Sequence, residues 1–337
     1  MKLFKSTILF GLGFVGVIFL FEILLSWGGI LEPIVNIDSK KGESYIPNKV
    51  CSSIFVAEGF GLAKTNSAGW FGREYIKKQP NDYSVAVVGN SFVASRQVFY
   101  RDNFLSLAEK ELDDKYPQQN TYFYNFGKED LPLSQLLFIK EGIDSLCSPN
   151  KIIVLINDES FDDNSRRFVP YYNLIDGELK LNTSFKDAFF VKIYEKYNLI
   201  TKSAVAFLGF RSKNRLPQTK EILFDKFVAP TKNTNESESD GHSGISPLDL
   251  AIIANLEKDN RVIFALDLNK ELTSELRSVI KKSPIIELHE PLLKFKQTTG
   301  IDPYYWKLSE LSGHWNLEGH KIVAKEIANS ICELRSH

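Results

Sequence analysis

The chain has 337 residues, 43% hydrophobic and 12% aromatic, enough to bury one large α/β core with a tether or two modest domains. Its 41 Lys and Arg against 42 Asp and Glu leave a formal net charge of -1, so no basic field exists to neutralise phosphates and nucleic-acid binding is a poor reading. Cys51, Cys147 and Cys332 are widely spaced and form no CxxC or Cys/His cluster, so no metal site is expected, and no cofactor either.

From Thr7 to Trp27 the sequence TILFGLGFVGVIFLFEILLSW is apolar apart from Glu22 and a few small polar groups. As a helix it reaches roughly 30 Å, the thickness of bilayer hydrocarbon. Lys2 and Lys5 precede it, so the positive-inside rule predicts a transmembrane signal anchor with a short cytoplasmic tail and the bulk of the chain on the far side, periplasmic or extracellular. A cleaved signal peptide is the competing reading, but Ser26-Trp27-Gly28-Gly29 fits a small-x-small cleavage site poorly. The expected organisation is a tail and anchor over 1–30, a stalk and approach over 31–81, where no periodicity is sustained, and one domain over 82–335.

Short β-branched or aromatic runs bounded by turn residues predict strands at Tyr83–Gly89, Thr121–Phe126, Lys151–Ile156, Arg261–Leu266 and Pro284–Leu288. Amphipathic patterns predict helices over Asn103–Lys115, Leu131–Leu146, Pro247–Lys258, Glu271–Lys282 and Leu317–Leu334. This alternation predicts a parallel sheet covered on both faces, a flavodoxin-like three-layer α/β/α sandwich. An insertion at 182–244 interrupts it; Asn182–Phe210 has a helical pattern, and the polar stretch Thr231–Gly244 reads as a surface loop or lid.

Ligands collect outside the carboxyl ends of such strands, so the residues that end them are the candidates. The first strand runs into Gly89-Asn90-Ser91, a serine on a tight turn that can expose its hydroxyl and aim N–H groups at an incoming oxygen. Val93 stands where the GxSxG elbow requires glycine. Gly127 closes the second strand, and Asn157-Asp158 closes the third. His314 lies in Ser312-Gly313-His314-Trp315-Asn316, just before the last helical pattern, where an imidazole can accept a proton at neutral pH. Each has a plain alternative: a turn serine, a strand-ending glycine, a capping amide. His320 reads as packing or capping, and His242, His289 and His337 carry no chemical signal.

In this order the pieces resemble the blocks of the GDSL/SGNH hydrolase family, from about Thr65 to the C-terminus. TNSAGWFG at 65–72 looks like the approach to the first block, VAVVGNSF like the GDSF block, YNFG like the glycine block, LINDE like the Asn-Asp block and HWNLEGHKIVA like the terminal block of membrane-linked members. The resemblance implies a serine esterase or O-acyltransferase. Ser91 would be the nucleophile, His314 its base, and the N–H groups of Ser91 and Gly127 with the amide of Asn157 the oxyanion donors. Two positions depart from the pattern. Asn90 replaces the aspartate of the first block, and Leu311 and Ser312 stand where an aspartate precedes the histidine. The possible orienters are then Ser312, Asp158 or Glu310, with Asp302 a further carboxylate that the fold would have to bring in. Without one, a Ser–His dyad would work more slowly. The implied substrate is an acylated carbohydrate at the membrane face; a lipid or small-ester hydrolase and a catalytically silent sugar-binding or assembly module are the alternatives. Nothing in the sequence points to a protein partner.

Overall fold

A computed structural model describes residues 10–11, 13–20, 23, 35–38, 42–55, 58–77, 79–161, 169–184, 245–307 and 309–336. The described residues between 10 and 23 are helical and leave Phe10, Phe14, Val15 and Phe19 exposed. Among the described residues no helix is long and apolar enough to cross a membrane. The expected anchor Thr7–Trp27 lies only in part within them, and most of the 182–244 insertion lies outside them.

Where the sequence suggested a stalk, the chain builds two antiparallel hairpins. β1 (Val35–Asp38) pairs with β2 (Gly42–Tyr45), and β3 (Val50–Phe55) pairs with β4 (Gly59–Lys64). Strands of 4 to 6 residues with Gly and Ser in them carry too little alternation to stand out from a loop.

The main domain starts at β5 (Tyr83–Gly89), followed by a single helical turn α1 (Ser91–Ala94), α2 (Phe104–Lys115), β6 (Thr121–Gly127), α3 (Leu133–Gly142) and β7 (Lys151–Asn157). A hairpin, β8 (Tyr171–Ile175) with β9 (Glu178–Asn182), precedes α4 (Pro247–Leu256), β10 (Val262–Asp267), α5 (Lys270–Val279), β11 (Ile285–Glu287) and α6 (His289–Thr299). A two-residue ladder, β12 (Tyr305–Trp306) with β13 (Leu311–Ser312), leads into α7 (Leu317–Ser336).

β5, β6, β7, β10 and β11 form one parallel sheet in the spatial order β11-β10-β7-β5-β6. Numbered along the chain, that is the doubly wound order 2-1-3-4-5. All five strands fall within a residue of their predicted ends, because runs such as VAVV and IIVLI are apolar on both faces, as a strand buried on both sides must be. Alternate side chains enter opposite layers. Val88, Val154 and Phe264 pack with Leu136 and Leu137 of α3 and Ile252 and Ile253 of α4. Val87, Ile153 and Ala265 pack with Leu105 and Ala108 of α2 and Val323, Ile327 and Ile331 of α7. α6 had no sequence signal because it buries only Leu292, too little to set a period.

The order in which the chain adds strands reverses between β5 and β7, so the loops after those strands diverge and leave a crevice at their carboxyl ends. The β3–β4 hairpin covers one side of that crevice, lying directly on the segment after α1. A Cβ at Gly61 would overlap the carbonyl oxygens of Arg96 and Val98. Backbone cannot yield to it, so Gly61→Ala should lift the hairpin and cost about 1–3 kcal/mol, read as a lower denaturant midpoint with an unchanged slope.

Candidate active site

Ser91 opens α1 at the end of β5 and is 8% exposed. Its own N–H has no acceptor among the described residues, while its hydroxyl donates to Glu159 Oε2 at 3.2 Å. Asn90 caps the turn by accepting the Phe92 N–H on Oδ1 at 3.2 Å. That bond fixes which way the amide faces, so its Nδ2 donates to Asn157 Oδ1 at 2.7 Å and, more weakly, to Glu159 Oε2 at 3.3 Å. The Ser160 hydroxyl also donates to Asn157 Oδ1 at 3.0 Å. With its oxygen pinned twice, Asn157 turns Nδ2 away, and that donor has no partner among the described residues. An aspartate at position 90 could not donate this bond, so the Asn90 departure has a structural role.

Gly127 ends β6 beside α1, where a Cβ would overlap the backbone of Val93 and Ala94. Its N–H donates to Asn125 Oδ1 at 2.7 Å. The glycine is thus needed for close packing, and its N–H, proposed from the sequence for the oxyanion, is already engaged.

Residues 302–316 form a loop tied at both ends. Asn316 Nδ2 donates to the carbonyls of Asp302 and Tyr305 at 2.8 and 2.9 Å, and its Oδ1 accepts the N–H groups of Glu318 and Gly319, capping α7. Trp315 is fully buried against Phe92 and Phe104 and donates Nε1–H to Asp267, at the end of β10, at 2.8 Å. Asp267 also accepts the Tyr304 hydroxyl at 2.6 Å. Trp306 Nε1 donates to the His314 carbonyl at 2.9 Å. His320 is fully buried, accepts the Phe104 N–H on Nδ1 at 3.3 Å and is held neutral, because burial lowers its pKa to about 3.

His314 projects from this loop with its ring 4.6 Å from that of Phe92. Its Nδ1 lies 2.8 and 2.6 Å from the two carboxylate oxygens of Glu58, and its backbone N–H donates to Glu58 Oε1 at 3.1 Å. A carboxylate only accepts, so Nδ1 carries the hydrogen and Nε2 presents a lone pair. That Nε2 is buried with no hydrogen-bond partner among the described residues. Glu58 sits at the turn of the β3–β4 hairpin, 256 positions away in sequence. Ser312 and Glu310 are exposed and do not bond the imidazole; Asp158 is exposed on the turn after β7, where its charge acts on His289, and Asp302 pairs with Lys296. Sequence reading missed Glu58, since a carboxylate beside a hairpin glycine has no spacing relation to the histidine.

Burial works to lower the His314 pKa, but the hydrogen bond and charge of Glu58, with the charges of Glu159 and Glu129, outweigh it and hold the imidazole above its ordinary value. Burial likewise works to raise Glu58, and its bonds to His314 prevail and hold it low. Glu159 is exposed as a residue, yet its carboxyl faces Ser91, and lost hydration raises its pKa against the pull of His314 and Ser91. Ser91, Ala94, Arg96, Gln97, Glu129, Asp130, Glu159 and His314 surround one cavity of about 80 Å³. Ser91 and His314 therefore face the same space, with Glu58 behind the imidazole. Among the described residues no His, Cys, Asp and Glu group could hold a metal ion.

The arrangement defines a serine, histidine and carboxylate site at the carboxyl edge of a doubly wound sheet. No family model matches the chain, and no curated protein matches it. Solved structures that resemble it include members of the G-D-S-L lipolytic family and acetyl esterases. One is a G-D-S-L family protein from Veillonella parvula DSM 2008, at 10% identity over 74% of this chain and 98% of that one, with a TM-score of 0.36. An acetyl xylan esterase shares 12% identity over 74% and 99% of the two chains, with a TM-score of 0.39. A two-domain esterase active on acetylated mannans shares 12% over 76% and 50%, with a TM-score of 0.37. The likeness is remote, and what the site can do follows from its own atoms.

A base must be neutral to accept a proton, so a raised His314 pKa places the acidic limb of any activity above the ordinary imidazole value of about 6.5. Glu58→Gln removes the charge that opposes burial. The limb should then move to lower pH while the plateau of kcat/KM falls by about 10²- to 10⁴-fold, as expected when an imidazole loses its orienting carboxylate. A Cβ at Gly313 would overlap the Glu58 carboxylate, which His314 holds through its backbone N–H and Nδ1. Gly313→Ala should therefore lower the melting temperature and also lower kcat/KM by about 10- to 100-fold through displacement of the carboxylate. A pH–rate profile and a melting curve of each variant check both.

Proposed function

We propose that this chain is a serine-dependent ester hydrolase or O-acyltransferase, acting on a short acyl group carried by a carbohydrate at the extracytoplasmic face of the membrane. The observation that carries the reading is the imidazole of His314, aligned by Glu58 on one nitrogen, without a partner among the described residues on the other, and facing the same cavity as Ser91.

Rotation of the Ser91 hydroxyl from Glu159 toward His314 Nε2 sets up attack. The Oγ bonds to the ester carbonyl carbon as its proton passes to Nε2, and Glu58 stabilises the imidazolium. Negative charge on the former carbonyl oxygen would meet the Ser91 N–H and Asn157 Nδ2; each such donor supplies about 3–4 kcal/mol of transition-state stabilisation. Collapse breaks the bond to the alcohol, which leaves with the proton from Nε2. Water or a sugar hydroxyl then attacks the acyl-serine by the same steps in reverse. A cavity of about 80 Å³ is well below the roughly 300–1,000 Å³ of pockets for drug-sized ligands, which favours an acetyl-sized acyl group over a lipid chain.

The bond from Ser91 to Glu159 favours a second reading, a silent sugar-binding module in which the hydroxyl stays occupied. One experiment decides between them. A fluorophosphonate probe should label the purified protein, and Ser91→Ala, which loses only that one side-chain hydrogen bond, should fold normally, escape labelling and lose at least about 10³-fold in turnover of an activated acetyl ester. An unlabelled wild type, or undiminished turnover by the variant, removes Ser91 from the chemistry.

The extracytoplasmic location rests on the apolar run Thr7–Trp27 behind Lys2 and Lys5. Reporters fused after His337 should be active only outside the cytoplasm, and the mature protein should keep its N-terminus and sediment with membranes. A new N-terminus near Gly28 would show a cleaved signal instead.

A further inference from the structure

Carboxylates surround the catalytic cavity. Glu129, Asp130 and Glu159 line it, and Glu58 stands behind His314. They act on one another's ionisation: the charge of Glu129 reaches both His314 and Glu58, and those of Asp130 and Glu58 reach Glu159. Of the cations nearby, Arg96 is 5% exposed and committed, pairing with Glu129 and donating Nε–H to Ser53 at 3.1 Å. Lys128, next in sequence to Glu129, is buried with its ammonium on the Glu43 carbonyl. His314 must be neutral to act as a base. Among the described residues that line the cavity, then, three carboxylates stand beside one fixed cation, Arg96, which is already ion-paired.

A second, independent feature faces the same space. Gln97 is 2% exposed and lines the cavity, and its Nε2 is buried with no hydrogen-bond partner among the described residues. An amide with unused donors can hold a substrate oxygen, while carboxylates accept hydrogens from hydroxyl or ammonium groups and repel an added anion.

From this cavity we infer that the site selects by charge: it takes esters that are neutral, hydroxyl-rich or cationic near the scissile bond, and refuses those with a carboxylate, sulfonate or phosphate there. Amino or neutral sugar esters fit, and uronate or dicarboxylic half-esters do not. The inference rests on the ester-hydrolase reading and narrows its substrate class. Asp130 is the residue to change, because it is exposed and its φ of 51° is one that asparagine also adopts without strain.

The full-length protein is assayed on three acetate esters of similar size: acetylcholine, its uncharged isostere 3,3-dimethylbutyl acetate, and 3-acetoxypropanesulfonate. At low salt the neutral and cationic esters should exceed the anionic one in kcat/KM by about tenfold or more, and 0.5 M salt should shrink that gap. Asp130→Asn should narrow the neutral-to-anionic ratio by about threefold, a quantity measured within each protein and so insensitive to any general loss. Turnover of all three at equal rates, or a ratio unmoved by both salt and Asp130→Asn, overturns the charge selection alone. No turnover of any of them overturns the ester-hydrolase reading, and the selection with it.

Discussion

A carboxylate withdrawn from water has to find a partner, and in this molecule Glu58 finds the imidazole of His314. The contact joins the turn of an N-terminal hairpin to a loop that precedes the last helix. Gly313 gives the carboxylate room, Gly61 lets the hairpin lie on the segment after α1, and Trp306 holds the His314 carbonyl. Each partner shifts the other toward its charged form against the pull of burial. The hairpin thus supplies the carboxylate that holds His314.

The sheet supplies the other half of the geometry. Its strands are apolar on both faces, so polar side chains can be accommodated only where strands end. Gly127, Asn157 and Asp267 occupy such ends, and Ser91 lies two residues past one. The order 2-1-3-4-5 opens the crevice between β5 and β7, which places Ser91 and Asn157 on its two sides. Asp267, one strand further on, contributes at a distance by fixing Trp315 and Tyr304 and so the loop that bears His314.

Between those fixed points, polar side chains bond to one another around Ser91. Asn90 occupies the amide oxygen of Asn157, while Glu159 accepts the Ser91 hydroxyl. The proposed mechanism requires that hydroxyl to leave one carboxylate for an imidazole held by another. This is a side-chain rotation, among the fastest motions available to a protein. The carboxylates around the cavity shift His314 toward its charged form, and the inferred charge selection draws on the same groups.

The sequence by itself determined the five strands of the sheet and most of the helices that cover it. Strand and helix periods are local, and a strand such as Lys151–Asn157 announces itself in seven residues. Ser91, Asn157 and His314 were legible because each stands beside a strand end or a helix start. Three things were decided only by the tertiary structure. The orienting carboxylate is Glu58, 256 residues from its histidine, and no spacing rule reaches across that interval. The two N-terminal hairpins were illegible because short glycine-bearing strands draw their stability from what they cover rather than from their own pattern. Gly127 occupies the expected place, but its N–H is bonded to Asn125, a side chain two residues back whose direction only the packed strand fixes.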